Sequence, residues 1–252
     1  MVDQRIVNEP EVQLLTRARE RVLQRIADAA ARVGREPDGV TLVAVSKTVP
    51  ADRLVAAVEA GLTTLAENRV QEGEAKAPVV AGATWHLVGP LQSNKARRAL
   101  ETFDLIQSVD STDLARRLDR LASEARPGAR VPILLQVNVD ADAAKAGFEL
   151  ADLQTDLDEI LDLPRLDVRG LMTIGRLVER AEEARPTFRT LRELSERLRG
   201  ERPRLGGELS IGMSADFEVA VEEGATIVRV GRALFGERPD DHRGRGDGPG
   251  IG

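Results

Sequence analysis

The chain has 252 residues, of which 42% are hydrophobic and 31% charged, and its formal net charge is −6. This acidic balance argues against sequence-independent binding to nucleic acid, which needs clustered positive charge. No stretch approaches the roughly 20 apolar residues that a membrane span requires, and the first residues lack the pattern of a secretory signal. Because the sequence contains no cysteine, disulfides and thiolate metal sites are excluded, and we predict no metal site. We expect a cytoplasmic globular protein.

The first predicted element is an amphipathic helix over residues 10–33. Arginines fall on the polar side of this helix, and Gly34 provides its end. The apolar side is formed by residues spaced three or four apart: Leu14, Ala18, Val22, Ile26, Ala29 and Val33.

Eight β-rich runs then alternate with helical patterns. The predicted strands cover residues 41–46, 62–66, 84–89, 104–109, 131–139, 166–174, 207–212 and 226–231. The helical patterns lie near residues 51–60, 68–77, 92–101, 111–125, 150–161, 179–199 and 214–223. Strands that alternate with single helices favour parallel pairing, and eight of them match a (β/α)₈ TIM barrel. A doubly wound sheet is the alternative, although no G-x-G-x-x-G motif follows any strand.

We therefore predict one α/β domain over residues 1–237, with the first helix covering the gap between strands eight and one. Residues 238–252, rich in proline, glycine and charge, are expected to be a disordered tail.

Lysine is scarce in this chain, and one lysine lies at the end of a predicted core strand. Of the 36 basic residues only four are lysines, at positions 47, 76, 95 and 145. Lys47 closes the apolar run 40–46, the first predicted strand, where a primary amine is costly to retain. Arginine cannot replace a lysine whose neutral amine must attack a carbonyl, because guanidinium stays protonated. We predict Schiff-base chemistry at Lys47, the alternative being a side chain that only reaches the barrel rim.

Other polar residues also cluster at the predicted strand ends, where TIM barrels carry their sites. Asn68 follows strand two, His86 lies on strand three, and Gly212, Met213 and Ser214 form the turn after strand seven. The turns after strands seven and eight often bind phosphate, and Arg229 and Gly231 belong to the second of them. A strand-end lysine with a phosphate site predicts pyridoxal 5'-phosphate, which needs an amine and an anion site.

Each of these residues also has a purely structural interpretation. Ser214 can cap the helix that follows it, with the glycines only turning the backbone. His86 is about equally well explained as a hydrogen-bonded core histidine, and Asn68 as a partner of loop backbone groups. Lys76, in a charged helix, is expected at the surface, as are Lys95 and Lys145.

Motifs along nearly the whole chain resemble the YggS/PROSC family of pyridoxal phosphate homeostasis proteins. They occur in the family's order, which makes the resemblance specific. The matching segments are residues 42–47 (LVAVSK), 67–68 (EN), 71–72 (QE), 85–95 (WHLVGPLQSNK), 136–138 (QVN), 145–147 (KAG), 169–172 (RGLM), 209–214 (LSIGMS) with Asp216, and 228–231 (VRVG) with Phe235 and Gly236.

The resemblance implies a single barrel like the N-terminal domain of alanine racemase, the fold-type III arrangement. It implies a pyridoxal phosphate Schiff base on Lys47, and cofactor contacts from Ser214, Arg229 and Gly231, with Asn68 nearby. Whether Arg229 contacts the phosphate or the pyridine nitrogen stays open. The chain departs from the family pattern at Ala66, Arg69 and Ala215, which leaves the proposed cofactor contacts in place.

Composition favours a cofactor carrier over a catalyst. A two-base racemase needs proton-transfer groups on both faces of the cofactor, and this chain has no tyrosine, no cysteine and two histidines, His86 and His242. The resemblance favours a protein that delivers the cofactor to apo forms of dependent enzymes, without substantial catalysis. The sequence shows no extended apolar surface that would demand a dimer, so we expect a monomer. The alternative is a racemase or decarboxylase of low activity, and a cofactor-free Schiff-base aldolase fits less well.

Overall fold

Eight parallel strands form a closed barrel in the computed structural model, which describes residues 8–176 and 178–236. The strands are β1 (Thr41–Val45), β2 (Thr64–Glu67), β3 (Thr84–Leu87), β4 (Leu105–Val109), β5 (Val131–Gln136), β6 (Leu166–Met172), β7 (Glu208–Met213) and β8 (Ile227–Val230). They pair in chain order, and β8 pairs with β1 so that Leu42 lies opposite Val228. The predicted barrel is confirmed, and the doubly wound sheet is excluded.

Helices surround the barrel and connect its strands. They are α1 (Glu9–Arg32), α2 (Ala51–Glu59), α3 (Val70–Lys76), α4 (Ala96–Thr102), α5 (Thr112–Ala125), α6 (Leu150–Asp162), α7 (Arg185–Glu201), α8 (Phe217–Glu222) and α9 (Arg232–Phe235). Each strand is followed by at least one of α2–α9, as right-handed parallel crossovers require.

The two faces of the barrel wall follow the two-residue period of the strands. A small interior cluster contains Val43, Ala66, Val88, Leu105, Leu134, Met172 and Ile227. Their neighbours along the strands, such as Ala44, Leu65 and Ile106, belong to the larger apolar layer under the helices. The same alternation directs Lys47, His86 and Arg229 towards the barrel axis.

Helix α1 lies across the junction of β8 and β1. Arg25 and Arg32 pair with Glu218 and Glu222 of α8, with N–O distances of 2.7 and 2.6 Å. The prediction that this helix covers the junction is therefore consistent with its contacts. Two details were wrong: Leu14 and Val33, expected on the apolar face, are 52% and 45% exposed, and the buried face begins at Leu15.

Two predictions depend on the chain ends. The expected tail at 238–252, including His242, lies outside the described residues, so the domain bounds stay a prediction. Within residues 8–176 and 178–236, no helix has both the length and the apolar character needed to cross a membrane.

Candidate functional site

Lys47 stands at the carboxyl end of the barrel, two residues beyond β1. Its side chain is half-buried, and the chain turns sharply immediately after it. Thr48 has a φ of +66°, and its hydroxyl donates to the carbonyl oxygen of Lys47 at 2.5 Å. A β-branched residue in the left-handed region costs about 1–3 kcal/mol, and such strain is concentrated at functional sites.

A second lysine supports the strand end behind Lys47. The side chains of Ser46, Glu67 and Lys76, here called the outer cluster, meet on the helix side of the wall. Glu67 Oε1 accepts from Ser46 Oγ at 2.7 Å and from Lys76 Nζ at 2.6 Å, and Lys76 Nζ also donates to the Ser46 carbonyl at 3.0 Å. The expectation that Lys76 is a surface residue was wrong, because its side chain is only 12% exposed.

Glu67 is fully buried, and this burial raises the pKa of its carboxyl, against the opposing hydrogen bonds from Lys76 and Ser46. Its second oxygen, Oε2, is also buried and makes no hydrogen bond within the part of the chain that the structure describes. The outer cluster thus holds a carboxylate that is only partly compensated.

Inside the barrel, four polar side chains from four strands form a continuous series of hydrogen bonds, here called the cross-barrel network. Arg229 Nη1 donates to Ser210 Oγ at 2.6 Å, and Ser210 Oγ donates to Gln107 Oε1 at 2.6 Å. Gln107 Nε2 lies 2.9 Å from His86 Nδ1. Arg229 also donates to the carbonyl oxygens of Ser210 and Thr173, both at 2.8 Å.

Burial sets the protonation states at both ends of this network. It lowers the pKa of His86 to about 4, although Asp104 acts in the opposite direction. It lowers the pKa of Arg229 to about 10, with Asp216 opposing the shift. Near neutral pH the network therefore carries one positive charge, on Arg229, and a neutral imidazole at the far end.

Ser214 connects the turns after β7 and β8. Its Oγ accepts from the backbone N–H of Gly231 at 3.2 Å and from that of Ala233 at 3.5 Å. The alternative that Ser214 caps the next helix was wrong: α8 begins at Phe217 with Asp216 as its N-cap residue. Asp216 Oδ1 instead accepts from the N–H of Met213 at 2.6 Å.

Two glycines among the predicted site residues have steric reasons to be glycine. Gly212 has a φ of +87°, and a Cβ there would lie 2.5 Å from the Cβ of Ala220. A Cβ on Gly231 would lie 3.3 Å from the carbonyl oxygen of Val45, so this turn approaches the end of β1 closely. The last turn of the barrel is thus brought next to the strand that leads to Lys47.

Asn68 lies at the end of β2, half-buried, with its backbone directly against Gly89: a Cβ on that glycine would come within 2.2 Å of the Asn68 carbonyl oxygen. The predicted site residues therefore form two groups. One group forms the turns after β7 and β8 and consists of Gly212, Met213, Ser214 and Gly231. The other group, Arg229 and His86, belongs to the cross-barrel network.

The sequence interpretation gave no role to Gln107, Ser210 or Glu67, although residues 67 and 210 lie in segments that match the family. A usable signal existed for Gln107, since it is a long polar side chain in the middle of an otherwise buried strand. Such a residue needs a hydrogen-bond partner inside the protein, which the alternation along β4 places on the barrel axis.

The chain is similar to several known proteins. The sequence model of the family "Alanine racemase, N-terminal domain" matches residues 19–239. A pyridoxal phosphate homeostasis protein of Aquifex aeolicus is 41% identical over 220 residues, which are 86% of this chain and 96% of that protein.

Solved structures are similar as well. PipY of Synechococcus elongatus, with PLP bound, is 44% identical with a TM-score of 0.74, over 84% of this chain and all of that one. An alanine racemase of Clostridium difficile is 15% identical with a TM-score of 0.69, over 93% of this chain and 59% of that one. At that identity the likeness concerns the fold alone.

Proposed function

Because the chain belongs to the alanine racemase N-terminal domain family, and within it to the pyridoxal phosphate homeostasis proteins, we propose that it binds pyridoxal 5'-phosphate and serves intracellular homeostasis of this cofactor. The cofactor supplies an aldehyde that condenses with an amine, and a ring that accepts electrons. The observation that carries the proposal is the position of Lys47 at the barrel mouth, two residues after Val45, whose carbonyl oxygen lies close to the turn at Gly231.

In this proposal Lys47 holds the cofactor as a Schiff base. The strained turn at Thr48 supports the assignment, because it directs the chain away immediately after the lysine and leaves its position defined. The outer cluster supports it further, since Lys76 binds the carbonyl of Ser46, the residue just before Lys47.

The phosphate is assigned to the last two turns. The N–H groups of Gly231 and Ala233 both donate to Ser214 Oγ, so these three groups converge at one point. Backbone amides at such turns bind phosphate oxygens, and the serine hydroxyl can donate one bond as well. Met213 and Gly212 contribute backbone to the same site, and a side chain at position 212 would collide with α8.

Arg229 is assigned to the pyridine nitrogen rather than to the phosphate. Its guanidinium donates to Ser210, on β7, and to Thr173, just after β6, inside the barrel. The donors assigned to the phosphate lie instead around Ser214. A permanently charged guanidinium disfavours protonation of the ring nitrogen, which weakens the ring as an electron acceptor. Asn68, which directly follows β2, is assigned to a cofactor contact, and His86 is assigned an indirect role through Gln107.

The absence of catalysis belongs to the proposal too. Racemisation by two bases needs a proton donor on each face, and the chain has no tyrosine or cysteine to supply the second. We propose a carrier that passes the cofactor to apo forms of dependent enzymes. The cytoplasmic location and the monomeric state stay predictions.

Absorbance spectroscopy tests the proposal directly. Purified protein incubated with pyridoxal phosphate and then dialysed should keep the visible band of a Schiff base. Lys47→Arg should abolish this band while preserving the charge, and Lys95→Arg, at another half-buried lysine, should keep it. Colourless native protein would overturn the proposal.

Transfer kinetics test the carrier role. Bound cofactor should reach an apo-enzyme faster than it dissociates into buffer. Sustained turnover of an L- or D-amino acid would favour the alternative of a weak racemase or decarboxylase.

A further inference from the structure

We infer that Ser210, Gln107 and His86 are positioning residues, which hold the Arg229 guanidinium in a single orientation beneath the proposed cofactor ring. The inference rests on the proposed function, but the network itself is a property of the protein without cofactor.

The first argument is geometric. Arg229 is 4% exposed, and its guanidinium donates to three acceptors: the carbonyl and hydroxyl oxygens of Ser210, and the carbonyl oxygen of Thr173. An arginine side chain has several rotatable bonds, so a defined orientation requires such partners on more than one side. The acceptors come from β7 and the residue after β6, and they leave the remaining guanidinium N–H groups for a ligand.

The second argument is the direction of the hydrogen bonds. Ser210 Oγ accepts from Arg229, so its single hydrogen is directed to Gln107 Oε1. The amide of Gln107 then presents its N–H₂ group to His86 Nδ1, which must accept. Reversal of one bond would place two donors or two acceptors face to face. One proton arrangement is therefore favoured, with the imidazole proton of His86 on Nε2.

The third argument is electrostatic. The charged groups that act on His86 are Asp104 and Arg169, and Asp216 acts on Arg229. Burial outweighs these influences at His86, so its imidazole stays neutral near pH 7. Burial also lowers the pKa of Arg229, but only to about 10, so its guanidinium stays charged. The network thus connects the charged guanidinium of Arg229, near the proposed ring position, to the neutral imidazole of His86 on β3.

A space-filling role is a poor explanation of the same residues. Ser210 and Gln107 are fully buried, and burial of polar side chains costs free energy unless every group is paired. Apolar residues of similar volume would fill the interior at lower cost. The unbroken series of hydrogen bonds from Arg229 to His86 is what an orienting function requires.

The first test uses the full-length protein without cofactor. With only His86 and His242 in the chain, nitrogen NMR resolves both imidazoles, and a His242→Asn variant assigns them. His86 should carry its proton on Nε2 and titrate with a pKa of about 4. Gln107→Glu should move a proton to Nδ1 and raise this pKa well above its native value, because a carboxylate then faces that nitrogen.

Native His86 protonated on Nδ1, or titrating near 6.5, would overturn the network. The same holds if Gln107→Glu left the tautomer unchanged.

The second test concerns the cofactor. Gln107→Met should weaken binding of pyridoxal phosphate by about tenfold, the effect of roughly one lost hydrogen bond, and change the pH profile of the Schiff-base band. Gln136→Met is the matched control, because Gln136 is a buried glutamine on β5 that donates to the Ala146 carbonyl instead. It should bind the cofactor as native protein does.

The outcomes separate the two proposals. If native protein binds no cofactor, the proposed function fails. The NMR measurement of the His86 tautomer still shows whether the network exists. If native protein and Gln107→Met bind with equal affinity and equal spectra, the positioning role fails and the proposed function stands. Circular dichroism verifies that each variant is folded, and Gln107→Glu, which preserves the side-chain shape, replaces Gln107→Met if the latter does not fold.

Discussion

The outer cluster and the cross-barrel network lie on opposite faces of the same barrel wall and differ in construction. In the outer cluster Lys76 and Glu67 bring opposite charges together, with Glu67 Oε2 left without a hydrogen bond among the described residues. In the cross-barrel network, Arg229 supplies the one charge, and neutral groups pair with each other from Ser210 to His86.

The difference shows two ways of supporting a site with buried polar groups. Removal of one partner of a buried charged pair leaves the other charge uncompensated, which costs several kcal/mol of stability. A continuous network with a single charge depends less on charge balance and more on the direction of each hydrogen bond. We therefore expect the outer cluster to dominate the effects on stability and the cross-barrel network to dominate orientation and protonation.

Lys76→Met should cause the largest loss. Removal of the ammonium leaves the buried Glu67 carboxylate without its ion-pair partner, which costs about 3–5 kcal/mol in the free energy of unfolding. Urea denaturation at pH 7 measures it. The double variant Lys76→Met/Glu67→Leu should regain most of the loss, since it removes both charges. A loss below about 1 kcal/mol in the single variant would contradict the buried pair.

Lowering the pH should change the stability contributions of the cross-barrel network and of the outer cluster in opposite directions. The folded pKa of His86 is lowered to about 4, below the ordinary 6.5, so the unfolded chain binds the proton first as the pH falls. The contribution of His86 to the free energy of unfolding should therefore be fully present above pH 6.5. It should fall by about 3 kcal/mol as the pH decreases to 4. Glu67, whose pKa is raised by burial, acts with the opposite sign: its contribution is largest at low pH and decreases as the pH rises above 4.5.

Denaturation curves between pH 4 and 7 separate the two contributions. His86→Gln should remove the acid loss, and Glu67→Gln should remove the opposing slope. An unchanged pH profile in His86→Gln would show that His86 is not the group that titrates.

Ser46→Ala should have the smallest of the three effects. It removes the hydroxyl that donates to Glu67 Oε1 at 2.7 Å and is 3.0 Å from the Ala66 carbonyl, a loss of about 1.5 kcal/mol. Thermal unfolding measures it, with Ser93→Ala, at an exposed serine, as the control. A loss as large as that of Lys76→Met would mean that the hydroxyl, rather than the ion pair, holds the outer cluster together.

Much of the fold was readable in the sequence because it depends on local patterns. The β-rich runs and the helical spacing between them place all eight strands to within a few residues, and Lys47 follows from its place at the end of one such run. Ser214 was predicted as a site residue from its turn, but its hydrogen bonds to the amides of Gly231 and Ala233 were not foreseen, because these residues are distant in sequence.

What the sequence did not reveal depends on how elements pack. Lys76 occurs in a charged helix, and only the docking of α3 against β2 turns its ammonium towards Glu67. The contact between Gln107 and Ser210 spans 103 residues, and no local pattern indicates which strands face each other across the barrel. The first contact depends on the docking of one helix, and the second on the closure of the barrel.

The placement of α1 has a consequence for biosynthesis. Arg25 pairs with Glu218, a residue 193 positions later, so the helix is made long before its partner on α8. At about 5–20 residues per second, roughly 10–40 s pass between the two. During that interval the apolar face of Leu15, Val22 and Ile26 has no α8 to cover it. We expect the nascent protein to be most prone to aggregation, and most dependent on chaperones, until its last helices leave the ribosome.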